Sequence, residues 1–433
     1  MEVETSNMYF VDNIVNDICE SLHVPRLKNN IIRIHTKKIE QLGEISFPLK
    51  MKNWPDIIEH KNENLSTVSD SEIIEQSSQN TSEVDLQLSV GDLKCESEKW
   101  CLPLTDVRII KDNIHLYFRR QRAFQETIQS CFSMERNYGA IQDCPKYSLH
   151  IYDEKYSLSQ YTEIDLTYLR MIILKKVIQN LIDFKLQHCS DSQSIKLYLS
   201  NKRYSDTSIL CGYVINGNGK KDSILSAEEL FRKRSVDMRL MAEHKYGLRK
   251  QSSQLWDEYF EKLGKASVTI ELLQNKPHKN VRVSLNDLSC ANKGASFIFY
   301  NCARLSTLFK EFERRVADGI YPPLSPIHNI DFSLLNQPEE WELLFVYIMQ
   351  FPLLIRSCVR DAGKGIVNPH YLVSFLSSMC SVFSVYYRRI RILVTPKPHL
   401  IPTLNARIHL LRSLEQIFHK TLELLGIDPI EEM

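Results

Sequence analysis

The sequence lacks the features that define several broad classes of protein. It contains no run of eighteen uncharged apolar residues, which excludes an ordinary membrane-spanning helix. Its first residues, M-E-V-E-T-S-N-M-Y-F, have neither the basic start nor the apolar run of a signal peptide. We therefore expect a protein of the cytoplasm, and also of the nucleus, without a membrane partner.

Signatures of metal and cofactor binding are also missing. The eleven cysteines form no C-x-x-C pair and have no companion H-x-x-x-H, so the paired spacings that tetrahedral zinc requires are lacking. No strand-like segment is followed by a glycine-rich loop with an acidic residue downstream. We expect neither a metal nor a cofactor.

The sequence shows no catalytic constellation. His35, His370 and His409 have no acid and cysteine in a recognisable order, and structural histidines are more common than members of a triad. The string G-N-G at Gly217 is typical of a turn rather than of a phosphate-binding loop. The residues alone predict no catalytic site.

The chain is long enough for several domains and is nearly neutral as a whole. Its 433 residues exceed the size at which one hydrophobic core keeps growing. The formal charge of +1 excludes a wholly basic nucleic-acid coat, but segments of opposite sign can still be present. Charge therefore has to be counted locally.

The first part of the chain, residues 1–58 and 99–135, has the pattern of a small α+β domain. Helical spacing is followed by the strand-like segment Ile31–Thr36, and a hairpin is predicted in Val107–Phe118 around a turn at Asp112 and Asn113. A helix is predicted from Arg120 to Phe132.

An acidic insertion, residues 59–98, separates these two stretches. It is rich in Ser, Asn and Gln, and it has too little apolar surface to offset the entropy of ordering its backbone. We predict that it is disordered.

The middle region, residues 136–290, has the pattern of a reduced α/β domain. Strands are predicted at Tyr147–Tyr152 and Ile195–Ser200, with a helix from Leu166 to about His188 between them and a further strand-like segment at Ser208–Ile215. This order indicates a parallel α/β unit.

Long helical patterns interrupted by prolines fill residues 291–433. Asn368 is predicted to cap a helix whose first residue is Pro369, because proline fits the first turn and cannot continue a preceding helix. The region is therefore expected to be an all-helical bundle.

One segment of this bundle, Ser381–Leu393, combines apolar and basic residues. On a helix predicted over residues 371–394, the apolar side chains fall at three- and four-residue spacing, which is typical of a buried stripe. Arg388 and Arg391 lie three apart on a different face. The predicted core positions are Phe383, Tyr386 or Tyr387, Ile390 and Leu393.

Basic residues are concentrated around this segment. Between Arg356 and Lys420 there are ten basic residues against two acidic ones, a local charge of +8. Basic helices with interleaved aromatics suit phosphates and unstacked bases, although a solvated charged face is the alternative. Residues Phe231–Lys250, with seven basic residues against Asp237 and Glu243, are a candidate extension of this surface.

Seven segments follow one another in the C-terminal third. They begin with G-A-S-F-I-F-Y-N-C-A-R-L-S-T-L-F-K at Gly294 and continue with P-E-E-W-E-L-L, Q-F-P, N-P-H-Y-L, F-S-V-Y-Y-R-R-I-R-I-L, N-A-R-I-H-L-L and L-E-L-L-G-I-D-P-I-E-E-M. Together they resemble the DALR-type anticodon-binding domain of arginyl-tRNA synthetases, which implies a helical bundle that contacts the anticodon stem of tRNA. The resemblance also implies tRNA contacts by Tyr300, Arg304, Tyr387, Arg391 and Arg407, to which the basic pair adds Arg388.

Upstream, the resemblance extends to a degenerate nucleotidyltransferase-like domain. Where the synthetases have H-x-G-H-L-R against the nucleotide, this chain has D-L-T-Y-L-R, so that Asp165, Thr167 and Tyr168 replace the functional residues. Lys220 and Lys221 resemble the start of the lysine-rich loop that steadies the triphosphate, but the rest of that loop is missing. Adenylate formation needs donors directed at the developing phosphate charge, so this site is expected to be inert.

This combination resembles the synthetase-related DALR anticodon-binding domain-containing proteins. The resemblance implies a non-catalytic protein that binds arginine tRNA and assists a methyltransferase forming 3-methylcytidine in the anticodon loop. Two alternatives stay open: a divergent arginyl-tRNA ligase that aminoacylates with ATP, and a scaffold that binds only proteins.

Overall fold

The computed structural model describes most of the chain, in nine ranges. Two compact units can be distinguished: an N-terminal unit of Met1–Cys131 and Ser325–Gln350, and a C-terminal unit of Phe132–Leu324 and Phe351–Met433. The division into three folded domains that we made on sequence pattern stays a prediction. The described ranges are 10–22, 31–50, 90–142, 145–152, 164–186, 194–222, 224–246, 254–285 and 291–431.

The N-terminal unit is α+β, as its sequence pattern predicts. Its sheet has the order β1-β2-β4-β3 with antiparallel pairing throughout. Alternating side chains such as Ile45, Phe47 and Leu116 are buried between the sheet and the helices. In chain order the elements are α1 (Phe10–Ser21), β1 (Arg33–Ile34), α2 (Ile39–Leu42), β2 (Ile45–Pro48), α3 (Val90–Glu96), β3 (Leu104–Ile110), β4 (Asn113–Phe118) and α4 (Arg120–Met134).

Strands β3 and β4 form the predicted hairpin, but its turn lies one residue earlier than expected. Lys111 and Asp112 both have positive φ, 48° and 60°, and Asn113 already pairs with Ile110. Two left-handed residues make a turn whose twist matches that of the flanking strands. Because non-glycine residues rarely adopt this conformation, it could not be assigned from composition.

The prediction of disorder for residues 59–98 is wrong at its C-terminal end. Residues 51–89 lie outside the described ranges, whereas 90–96 form α3 and Ser97–Lys99 form a 3-10 turn. Leu93 is buried, and the Ser97 hydroxyl accepts a hydrogen bond from the Leu104 amide at 3.0 Å. A single apolar anchor and one satisfied hydroxyl tie the end of the acidic segment to the sheet.

The segment Ser325–Gln350 comes from the predicted helical bundle but belongs to the N-terminal unit. It contains α9 (Pro338–Glu342) and a π-helix, Leu343–Ile348. Trp341 packs edge-on against Phe124 with ring centroids 5.6 Å apart, and its indole Nε1 donates to Glu44 Oε1 at 2.8 Å. This segment therefore completes the core of the N-terminal unit.

The C-terminal unit contains the predicted parallel α/β arrangement. Its sheet has the order β5-β6-β7 and is fully parallel, with Tyr147 in register with Ile195. The connecting helix α5 ends at Asp183, five residues before the predicted end. The strands and this helix are β5 (Tyr147–Ile151), α5 (Leu166–Asp183), β6 (Ile195–Ser200) and β7 (Ser208–Leu210).

Two long helices and a short parallel ribbon follow. The ribbon pairs β8 (Val214–Ile215) with β9 (Val281–Arg282). Between them lie α6 (Ala227–Tyr246) and α7 (Gln254–Leu273), which pack against each other.

The remaining helices of this unit form the predicted bundle. Helix α8 (Ala291–Ala317) packs against α11 (His370–Arg389) and α12 (Ile401–Leu424), and α10 (Phe351–Val359) contacts α11. Helix α11 starts at His370 with Pro369 in the capping position, one residue later than predicted.

One stretch of these helices is strongly apolar. By length and composition alone, Pro338–Lys364 could cross a membrane, but 61% of its most apolar window is buried within the protein. A buried core helix has the same composition, so the stretch carries no argument for a membrane.

Helix α11 ends earlier than its apolar stripe suggests. Ile390 is the C-cap with extended backbone, φ −113° and ψ 126°, so the predicted helix over 371–394 is wrong beyond Arg389. In the extended chain that follows, Ile392 and Val394 are buried, whereas Ile390 and Leu393 are only half-buried. The expected core role of Ile390 and Leu393 is therefore corrected, while Phe383 and Tyr386 are buried as predicted.

Candidate nucleic-acid interface

Helices α8 and α11 bring three of the predicted tRNA-contacting residues together. Tyr300 and Arg304 are four residues apart on α8, so they lie on the same face of that helix. Tyr387 lies in the last turn of α11, which packs against α8. We call Tyr300, Arg304 and Tyr387 the clamp.

The Arg304 guanidinium is held between the two tyrosine rings. Its Cζ lies 4.2 Å from the centroid of Tyr300 and 4.8 Å from that of Tyr387. Nη2 donates to the Tyr300 hydroxyl at 2.5 Å, and Nη1 donates to Ser384 Oγ at 3.4 Å. These contacts fix a cation and two aromatic rings in one arrangement, with 37% of Tyr387 exposed.

Sequence reasoning missed Ser384 as a member of this arrangement. It lies one turn before Arg388 on α11, and its hydroxyl helps to orient Arg304. A serine inside a helix gives no signal of its own, because its role depends on a partner eighty residues away in the chain.

The other three predicted residues differ in their surroundings. Arg388 and Arg391 are exposed, and within the described ranges neither has a hydrogen bond or an ion pair. Arg391 follows the end of α11 instead of lying on the helix. Arg407 is half-buried on α12 and has an interaction within the protein.

Part of the local charge of +8 is balanced from outside the counted segment. Arg412 pairs with Glu313 at 3.4 Å, and Lys420 pairs with Glu423 at 2.8 Å. Two of the ten basic charges are therefore balanced, whereas Arg388 and Arg391 are exposed close in sequence to Tyr387 of the clamp.

The second basic block, Phe231–Lys250, does not extend this surface through its central arginines, Arg234 and Arg239, because both are paired within the protein. Arg234 is fully buried and donates to both oxygens of Glu271 at 2.9 Å and to Asp237 at 3.1 Å. Arg239 pairs with Asp257. These arginines join α6 to α7, because a buried guanidinium must be matched by carboxylates.

Four of the positions predicted for a degenerate nucleotide site line a cleft of about 410 Å³ next to the N-terminus of α5: Asp165, Thr167, Tyr168 and Lys221. Asp165 caps that helix, since its Oδ1 accepts from the Tyr168 amide at 2.7 Å. Its other oxygen pairs with Lys221 Nζ at 3.2 Å, and Thr167 Oγ1 accepts from the Val214 amide at 3.1 Å. Asp165 and Lys221 are thus engaged with each other, and Thr167 is engaged with the Val214 backbone.

Lys220, the remaining predicted position of this site, lies in an exposed turn. Its amide donates to Asn216 Oδ1 at 3.2 Å, and its carbonyl accepts from the Asn216 amide at 2.9 Å. It does not line the cleft, whereas Lys221 does.

Arg170 ends the D-L-T-Y-L-R segment, and its contacts within the protein are structural. It is fully buried, which lowers the pKa of its guanidinium through loss of hydration. The guanidinium donates to four backbone carbonyls, those of Gly212 at 2.8 Å, Lys279 at 2.7 Å, Leu272 at 3.1 Å and Lys276 at 3.2 Å. Arg170 therefore joins α5 to three other segments.

With this geometry in place, comparison with known proteins assigns the C-terminal third. Residues 298–433 match the DALR anticodon binding domain family. The C-terminal third is a DALR anticodon-binding domain. The clamp lies within it, and so does the segment Ser325–Gln350, which folds with the N-terminal unit.

The sequence is similar to two groups of curated proteins. One group is named DALR anticodon-binding domain-containing protein 3, and the other is named arginine–tRNA ligase. It is 32% identical over 230 residues to DALR anticodon-binding domain-containing protein 3 of Mus musculus, covering 52% of this chain and 43% of that protein. It is 26% identical over 157 residues to the arginine–tRNA ligase of Borreliella burgdorferi, covering 36% of this chain and 24% of the ligase. The match spans less than half the length of either relative.

The fold is that of an arginyl-tRNA synthetase, with a mixed α/β N-terminal region and a helical DALR domain. The arginyl-tRNA synthetase of Plasmodium falciparum superposes with a TM-score of 0.59 over all of both chains, at 10% identity. The chain thus resembles the synthetases in fold. That Asp165, Thr167 and Tyr168 replace a synthetase signature stays a prediction.

Proposed function

We propose that this protein binds arginine tRNA through its DALR domain, does not aminoacylate it, and assists a methyltransferase that forms 3-methylcytidine in the anticodon loop. The observation that carries the proposal is the clamp, in which Arg304 is held between Tyr300 and Tyr387.

The clamp suits the unpaired bases of an anticodon loop. Aromatic rings and guanidinium planes stack on bases that have left the helical stack, and cations beside them attract the phosphates. Tyr387 is partly exposed, and Arg388 follows it directly at the end of α11. One end of α11 therefore offers both a stacking surface and positive charge.

The internal bonds of the nucleotide cleft support a non-catalytic role. A helix N-terminus attracts phosphate because its amides are free to donate. At α5 the Asp165 carboxylate already accepts from the Tyr168 amide and pairs with Lys221. A triphosphate would have to displace this carboxylate and tolerate its negative charge.

Binding to purified arginine tRNA tests the clamp directly. Tyr387→Ala is expected to weaken binding by about 5- to 150-fold, since base–aromatic stacking contributes about 1–3 kcal/mol per base. Tyr387→Phe keeps the ring and is the matched control, expected to bind like the parent. Equal affinity of the alanine variant and the parent would contradict the proposal.

An ATP–pyrophosphate exchange assay with arginine and tRNA tests the non-catalytic part. We expect exchange at background level. Robust exchange that Lys221→Ala abolishes would instead establish a divergent arginyl-tRNA ligase.

The role in methylation requires a separate experiment. The sequence has no glycine-rich loop for a methyl donor, so the transfer itself is assigned to a partner. We expect loss of this protein to lower 3-methylcytidine in arginine tRNA, and purification from a cytoplasmic extract to recover a methyltransferase with it. An unchanged content of 3-methylcytidine would exclude this role and leave tRNA binding untouched.

A further inference from the structure

A row of aromatic rings crosses one face of the parallel sheet in the C-terminal unit. His150 of β5 and Tyr152, which directly follows that strand, lie beside Tyr198 of β6, with ring centroids 6.1 Å and 6.4 Å from that of Tyr198. Tyr204, in the loop after β6, stacks on Tyr152 at 4.1 Å. We call these four residues the aromatic row.

The aromatic row faces outward. Tyr152 and Tyr204 are 52% and 55% exposed, and His150 is exposed as well. Helix α5 packs on the sheet, and Leu149 and Leu197, which alternate with the row, are buried. Parallel sheets are usually covered on both faces, so an exposed aromatic face on such a sheet indicates a ligand.

Two lysines accompany the aromatic row. Lys196 lies on the same face as Tyr198, and Lys202 precedes Tyr204 by two residues. Residues 145–152 and 194–213 together contain four basic residues against one acidic residue, Asp206, which pairs with Arg203 at 3.5 Å. The surface therefore favours an anionic, aromatic ligand.

The row ends at the cleft of about 410 Å³. Tyr152 and Tyr204 line the cleft together with Ser200, Asn201 and Lys202. The Ser200 hydroxyl already donates to the Lys202 carbonyl, so the Asn201 amide is the group at this position that can bond to the edge of a base that stacks on the outer tyrosine. A nucleotide combines the flat ring, the hydrogen-bonding edge and the negative charge that this surface matches.

We propose that the aromatic row binds unpaired nucleotides of an RNA strand, as a second RNA site separate from the clamp. The proposal deepens the proposed function and rests on it for the identity of the RNA. In this arrangement the DALR domain holds the anticodon loop and the degenerate α/β domain holds another single-stranded part of the same RNA.

Binding of a labelled uridine hexanucleotide to the full chain, followed by fluorescence anisotropy, tests this site. Tyr204→Ala is expected to weaken binding by about 5- to 150-fold, the range for loss of one base stack. Tyr204→Phe keeps the ring and should bind like the parent. Because Tyr204 is mostly exposed, neither change should alter the melting transition, and unchanged affinity of Tyr204→Ala would overturn the proposal.

Competition with free uridine monophosphate shows whether the surface binds a nucleotide within an RNA strand or a free nucleotide. The proposal predicts that the hexanucleotide binds at least about tenfold more tightly than the monophosphate, because a strand stacks on several rings. Equal affinities would assign the surface to a free nucleotide. A chain that binds neither would show that the face is not a nucleotide site, and both results would overturn the proposal.

The clamp variant Arg304→Ala distinguishes failure here from failure of the proposed function. If it loses tRNA but keeps the hexanucleotide, both proposals stand. If it keeps tRNA while Tyr204→Ala loses the hexanucleotide, the clamp proposal fails and the second site remains. If Arg304→Ala weakens binding of both tRNA and the hexanucleotide while Tyr204→Ala weakens binding of neither, the aromatic row has no RNA site.

Discussion

At the residue scale, Glu44 makes the stability of the N-terminal unit depend on pH. Its carboxylate is almost fully buried, which raises its pKa to about 7 from an ordinary value of 4.5. The hydrogen bonds from the Trp341 indole and the Phe118 amide, together with nearby Arg120, oppose this rise only partly. The folded unit therefore holds the Glu44 proton more tightly than the unfolded chain.

The sign of the pH dependence follows from that raised pKa. The contribution of Glu44 is fully present below about pH 4.5 and is lost as the pH rises through about 7, a change of about 3 kcal/mol at about 1.4 kcal/mol per pKa unit. In urea unfolding followed by tryptophan fluorescence, the parent should lose about that much more than Glu44→Gln between about pH 4.5 and 8. Parallel profiles for the two proteins would contradict the prediction.

The three residues of the clamp could be predicted from the sequence, but the stacking of their side chains could not. Tyr300, Arg304 and Tyr387 were identified by resemblance to a known family, and spacing placed the first two on one helix face. Their stacking needs α8 and α11 to pack with a particular rotation, which depends on side chains across the bundle. Local sequence holds no information on that rotation.

At the scale of elements, the end of α11 predicts different roles for two nearby isoleucines. Ile392 is buried beyond the helix, so Ile392→Ala should lower the free energy of unfolding by about 2–5 kcal/mol through a cavity. The matched substitution Ile390→Ala should lower it by less than about 2 kcal/mol, because Ile390 is only half-buried at the C-cap. Denaturant unfolding of both variants decides, and a larger loss at Ile390 would refute the observed helix end.

The sequence did contain a signal for this end. Ile390, Ile392 and Val394 alternate with other residues at a spacing of two, and β-branched residues followed by Pro396 disfavour helix. The three-residue spacing of Ile390 and Leu393 also continued the helical stripe. Two periods fitted the same residues, and the packing of Ile392 and Val394 decided between them.

Helix α3 yields a second prediction at this scale. Deleting residues 62–88 removes only part of the acidic insertion and is expected to change the free energy of unfolding by less than about 1 kcal/mol. Extending the deletion to residue 96 also removes buried Leu93 and should cost about 2–5 kcal/mol more. Equal stability of the two deletions, measured by urea unfolding, would show that α3 does not anchor the segment.

At the scale of the whole molecule, a nearly neutral chain needs local charge to bind RNA. Arg388 and Arg391 are exposed and follow Tyr387 of the clamp within four residues, so Arg388→Ala with Arg391→Ala should leave the melting transition intact and weaken tRNA binding. The slope of log affinity against log salt should become shallower by about 0.7–0.9 for each phosphate that no longer has an arginine beside it. Lys99→Ala, which removes an exposed charge from the N-terminal unit, is the control. An unchanged slope in the double variant would place the tRNA surface elsewhere.

The succession of α+β, parallel α/β and helical regions could be predicted from periodicity and proline positions. The membership of Ser325–Gln350 in the N-terminal unit could not. Its apolar pattern fits a helix in any core, and the choice of core depends on Phe124 and Glu44, which lie far earlier in the chain. Proximity in sequence favoured the helical bundle instead.

Because the segment Ser325–Gln350 completes the core of the N-terminal unit, it affects how the chain can fold during its synthesis. Phe124 and Glu44 leave the ribosome long before Trp341, with which they pack in the folded unit. At about 5–20 residues per second, the first unit waits roughly 10–40 s or longer for its last core residues. During that interval a nascent chain exposes an aromatic surface that the complete protein buries, and this is the period in which chaperones are most needed.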